Sequence, residues 1–376
     1  MKIFYLFHEL SGRGPVWFNG MWGHLSALRD SADTSFLAIP LEPPDVARRP
    51  LDRIMRRVRR REPPWAARIR DQIRAECDPN GPNVLLHIAL SRSHLDWSDW
   101  LEPVWSLFDR RVLYVVDALQ PEQVWAGRLQ RYDLVACYCR DLGDALGAAH
   151  GVPTLYWPSH TDVLGFHSAA DFRPIDLIVV GRRDTRQHGP LHRHFNDPGR
   201  DRIFLDFVTR TQGPTTAEEE FRLLTLTQAR SKAAFCFEAG DRPRFAGRSP
   251  FLARWVYAWG AGCTVFGSRP TGIGAAAQMD WPESMFDLPG DSAEAIGFVE
   301  AVLRDEEGLR RRRRRNVTEA LRRHDTRHRL RGLLAALDLE EPPTLQRGLD
   351  RIGARVRDLE DETPRSPARA LPGEAG

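Results

Sequence analysis

Lysine is almost missing from this chain. Of 54 basic residues only Lys2 and Lys232 are lysines, and the arginine bias reads as the codon usage of a GC-rich genome. The net charge is only +3, so the chain lacks the strongly basic field that would call for nucleic acid. Cysteine is sparse too. Cys77, Cys137, Cys139, Cys236 and Cys263 form no CxxC pair, and this odd set without metal spacing reads as buried thiols of a cytoplasmic protein. No apolar run approaches the length of a membrane span, and Lys2–Phe7 reads as a first strand rather than a secretory leader. No internal repeat is visible. Asp96-Trp97-Ser98-Asp99 falls at a helix start and is not read as a metal site, so no metal ligands are assigned.

What the sequence does have is alternation. Short apolar runs at Ile3–Phe7, Ser35–Ile39, Val84–Leu90, Val112–Val116, Leu134–Tyr138 and Thr154–Trp157 read as strands of a first half. Leu177–Val180, Ile203–Phe207, Ala233–Phe237, Cys263–Phe266 and Met285–Leu288 do so in a second. Helical patterns lie between most of them, which argues for parallel sheets covered on both faces. So many strands split more readily into two sheets than build one. The expected fold is therefore α/β, with two Rossmann-like domains facing a central cleft. The domains are placed at 1–160 and 170–335, followed by a C-terminal helix at 336–361 and a disordered Pro-, Ala- and Gly-rich tail at 362–376.

Four places could carry chemistry. After the first strand, Gly12, Gly14, Gly20 and Gly23 make a turn opening a helix near Trp22, with His24 a candidate base or an ordinary core histidine. Asp117 ends an apolar run at the edge where α/β ligands sit, and is read either as a catalytic base or as a helix cap. The run Leu177–Val180 leads into Gly181, Arg182, Arg183 and Arg186, a crowd of cations read either as a site that a diphosphate would compensate or as a solvated loop. Finally, Ser249 and Pro250 suit the N-cap and first position of a helix carrying Phe251, Arg254, Trp255, Tyr257 and Trp259. The N–H groups of that helix end would form an anion site. The tryptophans read as core.

Two arginine runs are weighed separately. Arg310–Arg315 points all round a helix and reads as solvated surface. Residues 51–61 carry an apolar stripe among arginines, which fits a helix packed on its own domain or a peripheral contact with an anionic membrane.

From about Asp162 to Leu333 the order of features resembles the glycosyltransferase-B group, in particular its CgeB-like branch. The segments carrying the likeness are WPSHTDVLGFHS, DLIVVGRRDTRQHGP, SPFLARWVYAWGAGCTVFGS and the closing helices. The resemblance implies a nucleotide-diphosphate sugar bound as co-substrate by the second domain, with no further cofactor. Arg182 would then contact the diphosphate and Arg254 support the donor. Tyr257 stands where the family often has a ribose-binding Glu. Glu238, in FCFEAG, is the nearest replacement carboxylate. The leading expectation is thus a metal-independent glycosyltransferase with an unidentified acceptor. The alternatives are a catalytically idle nucleotide- or glycan-binding protein and an NAD-dependent oxidoreductase using Gly12, Gly14 and Glu42.

Overall fold

The computed structural model describes residues 1–8, 21–39, 62–90, 92–95, 97–116, 127–181, 183, 186–207, 216–238, 245 and 247–361. The expectations at Gly12, Gly14, Gly20, Glu42, 51–61, Asp117, Arg182 and the tail lie outside these residues.

Two parallel sheets organise the chain. The first contains β1 (Lys2–His8), β2 (Asp33–Ile39), β3 (Asn83–Ala89), β4 (Arg110–Val115), β5 (Leu134–Cys137) and β6 (Thr154–Tyr156), in the order β2-β1-β3-β4-β5-β6. The second contains β7 (Ile175–Val180), β8 (Phe204–Phe207), β9 (Ser231–Cys236), β10 (Thr264–Gly267) and β11 (Phe286–Asp287), in the order β11-β10-β9-β7-β8. All the strand pairings are parallel. The eleven apolar runs thus correspond to the eleven strands, within two or three residues at each end.

Alternation within a strand shows why the sheets need cover on both faces. In β1, Phe4 and Leu6 join Ile69 and Ile73 of α2 (Pro64–Glu76), whereas Ile3, Tyr5 and Phe7 join Leu25 and Leu28 of α1 (Met21–Ser31). Further along the sheet, α3 (Arg140–His150) contributes Leu142 and Leu146 to the same core as α1. In β7, Leu177 and Val179 pack with Leu191 and Phe195 of α4 (His188–Phe195). α5 (Ala217–Ala229) opens with a reciprocal capping box between Thr216 and Glu219. α6 (Ala253–Gly260) buries Trp255 and Trp259 completely, as core residues.

The halves are joined twice. Residues 158–174 lead from the first sheet to the second. The chain returns after α7 (Ser292–Arg304) and α8 (Glu306–His324) through α9 (Thr326–Ala336) and α10 (Pro343–Asp361), both of which pack on α1. The crossings pair with each other: Thr326 N–H donates to the Thr161 carbonyl at 2.9 Å, and Thr161 N–H to that of His324 at 3.2 Å. Arg327, only 2% exposed, donates to Asp162 at 2.8 Å and to Asp325 at 3.0 Å. Its burial works against the charge, but the two carboxylates outweigh it and hold the guanidinium protonated. Ser26 of α1 donates to the other oxygen of Asp162, tying the first domain into the same cluster.

The arginine run on α8 departs from the expected solvated surface. Arg312 and Arg313 are 3% and 5% exposed. Arg312 pairs with Glu283 at 3.1 Å and lies over the Phe286 ring, and Arg313 pairs with Asp171. A helix that points arginines all round must turn some inward, and here acidic partners receive them.

Candidate active site

Each sheet reverses its strand order at one place, and it is at the carboxyl ends of strands beside such a reversal that open α/β sheets bind ligands. In the second sheet this place lies between β7 and β9, which are in register with Val179 opposite Phe235. β7 runs into Gly181, whose φ of +79° suits glycine far better than any other residue. β9 runs into Phe237 and Glu238. The Glu238 carboxylate accepts from Ser249 Oγ at 2.6 Å, and its N–H donates to Ser268 Oγ at 3.0 Å. Ser249 Oγ in turn accepts from Thr271 N–H at 3.0 Å. The loops after β9 and β10 are therefore stitched together around one half-buried carboxylate.

This stitching changes the expected start of α6. The helix begins at Ala253, and the residue before it, Leu252, is extended and makes no side-chain cap. Ser249 does not cap the helix because its hydroxyl is committed to Glu238 and Thr271. Pro250 and Phe251 are buried ahead of the helix, with Phe251 stacked on Trp255 and Trp259. Arg254, in the first turn, donates to the Phe237 carbonyl at 3.0 Å and so braces the end of β9. Tyr257 is 9% exposed and sits in an aromatic cluster with Phe221 of α5 and Phe166. Burial pushes the pKa of its phenol well above the usual value. Of the arginine loop, Arg183 pairs with Asp206 at the end of β8 at 2.7 Å, and Arg186 is exposed.

In the first sheet the reversal falls between β1 and β3, and it holds a group the sequence reading did not single out. His8, at the end of β1, bonds through Nε2 to Nε2 of His94. Trp97 stacks on His94 at 4.4 Å and meets His8 edge-on at 4.3 Å. Leu90 N–H donates to His94 Nδ1 at 3.0 Å, which places the His94 proton on Nε2, facing His8. Burial lowers His8 to about 4; burial and the neighbouring histidines lower His94 to about 2. Both rings are neutral at pH 7. His8 and His94 are far apart in the chain, and each looks like an ordinary histidine beside an apolar run. Only the β1–β3 pairing brings them together.

His24 lies on α1 but is buried. Its ring stacks on His160 at 4.0 Å, and its Nε2 donates to the His160 carbonyl at 2.6 Å. Burial lowers it to about 4, against the opposing effect of that bond.

No protein-family model and no curated protein matches the sequence. Solved structures do. The chain is similar to HepE from Anabaena in complex with UDP-glucose, with 12% identity and a TM-score of 0.53 over 90% of this chain and 99% of that one. It is similar to a glycosyltransferase from Rickettsia africae ESF-5, with 12% identity and a TM-score of 0.50 over 96% and 99%. An α-glucosyltransferase in complex with UDP-glucose and DNA containing an abasic site gives 9% identity and a TM-score of 0.52 over 90% and 99%. These likenesses run through both domains, and the architecture is that of the glycosyltransferase-B fold.

Proposed function

We propose that this protein transfers a sugar from a nucleoside-diphosphate donor to an acceptor that its sequence does not identify. The observation that carries the reading is the reversal of strand order between β7 and β9, neighbouring strands that run into a left-handed Gly181 and into Glu238 with its serine partner. It occurs in a fold shared with proteins solved with UDP-glucose. In this proposal Arg182, Arg183 and Arg186 take the diphosphate, and Glu238 receives hydroxyls of the nucleoside or sugar. Arg254 acts indirectly, by holding the end of β9. The chemistry asked of the protein is to stabilise charge developing on the leaving diphosphate, which arginines can do without a metal. UDP is the first nucleotide to try, because HepE and the α-glucosyltransferase were solved with UDP-glucose.

The idle-binding alternative keeps one observation in its favour. Tyr257 is a core aromatic, so the family's usual ribose carboxylate has no equivalent at that position.

Thermal melting with UDP, GDP, ADP, TDP and NAD tests donor binding. A nucleoside diphosphate at a hundred times its dissociation constant should add about 2.7 kcal/mol of stability. Arg182→Ala should lose about 1.5–3 kcal/mol of that affinity, the scale of hydrogen bonds to charged groups. Stabilisation by NAD alone would overturn the proposal in favour of an oxidoreductase.

A further inference from the structure

Arg329, in the first turn of α9, is a half-buried cation without a carboxylate partner among the described residues. Its Nη2 donates to Gln278 Oε1 at 3.0 Å and to His324 Nδ1 at 3.4 Å. Its Nε is enclosed and has no partner. Burial lowers its pKa to about 10, opposed only by the phenols Tyr156 and Tyr114. Nearby His160 also has an enclosed nitrogen without a partner, Nε2, and burial keeps that ring neutral. Elsewhere in this protein the buried arginines Arg312, Arg313 and Arg327 meet carboxylates, and Arg173 donates through all three of its nitrogens to backbone carbonyls. An enclosed guanidinium that lacks such partners is costly unless an anion reaches it.

The neighbourhood supplies the rest of a site. Tyr156 ends β6 at the carboxyl edge of the first sheet, and it feels both Arg329 and Arg140. Arg140 opens α3, is exposed, and has no carboxylate partner among the described residues. Asp141, whose charge also reaches Tyr156, accepts from the Ile273 N–H of the loop after β10 at 3.1 Å. That loop comes so close that a side chain at Gly274 would lie 3.2 Å from the Tyr156 ring. Residues of both domains thus converge on one phenol flanked by two guanidiniums.

We propose that this interdomain crevice is an oxyanion-binding site, separate from the donor crevice, in which Arg329 and Arg140 hold a phosphate or carboxylate group against the Tyr156 hydroxyl. The planar guanidinium matches such groups through paired N–H donors. The source is either free phosphate or an acidic group carried by a sugar.

Calorimetric titration of the full chain with inorganic phosphate, and separately with glucuronate, tests this. Phosphate binding, glucuronate binding or both would support the site and tell the two sources apart. Arg329→Gln should weaken binding about tenfold or more, whereas Arg310→Ala, on the exposed face of α8, should leave it unchanged. In phosphate-free buffer Arg329→Gln should melt no lower than the parent, because it removes an unpaired cation. If that variant does not fold, Arg329→Lys takes its place, and its point charge should bind several-fold more weakly. The proposal is overturned if neither probe binds at millimolar concentration, or if the Arg329 variant that folds binds like the parent.

Discussion

Tyr257 shows how one residue can hold a place in a sequence pattern while its side chain serves the core. The resemblance read from the sequence sets it where a ribose-binding carboxylate is expected, yet it packs on Phe221 and Phe166. Tyr257→Phe keeps the packed ring and should therefore cost at most about 1.5 kcal/mol of stability, the upper end for one neutral hydrogen bond, and leave nucleotide affinity unchanged. Tyr257→Glu should cost about 3–5 kcal/mol, because the new carboxylate would be buried without a cation. Denaturant melts and UDP titrations on both variants check this. A gain in UDP affinity for Tyr257→Glu would show that the position faces the donor after all. Glu238 differs in kind. It is half-buried, its carboxylate accepts from Ser249 and its backbone N–H donates to Ser268, so the carboxylate is oriented without being sealed off.

At the scale of elements, α8 carries the clearest lesson. Its six successive arginines look uniform in sequence, but the fold sorts them by direction. Arg310 is exposed, whereas Arg312 spans Glu283, Asp305 and the Phe286 ring. Arg312→Ala should destabilise by about 2–3 kcal/mol through lost packing and unpaired acids, while Arg310→Ala should stay within about 0.5 kcal/mol. Urea melts of the two variants measure the difference, and equal costs would return the whole run to the surface. The strands were legible because doubly covered parallel strands are nearly continuous apolar runs. The start of α6 was not. Ser249 and Pro250 have the chemistry of a helix start, but Glu238 competes for the serine hydroxyl, and that competitor comes from another strand. The His8–His94 pair was hidden for the same reason, since sheet order rather than sequence spacing puts the rings together.

Across the whole molecule, two crossings and one buried ion cluster set the domains against each other. Arg327 reaches Asp162 on the outward crossing and Asp325 on the return, and the α9–α10 return lies on α1 of the first domain. This arrangement sets the crevice at β7–β9, with Glu238, and the crevice at β1–β3, with His8, in a single two-domain frame. Sugar transfer needs donor and acceptor held together in such a frame. Binding alone needs only one crevice, so turnover separates the proposed enzyme from an idle binder.

The most direct measurement is release of nucleoside diphosphate from nucleotide sugars, beginning with UDP-glucose, by the parent protein and by Arg182→Ala and Glu238→Gln. The account predicts slow release by the parent without an acceptor, faster release once an acceptor is supplied, and loss of at least about tenfold in each variant, as expected for a hydrogen bond to a charged group. A parent protein that binds nucleoside diphosphate but releases none from any nucleotide sugar, whatever acceptor is offered, would contradict it.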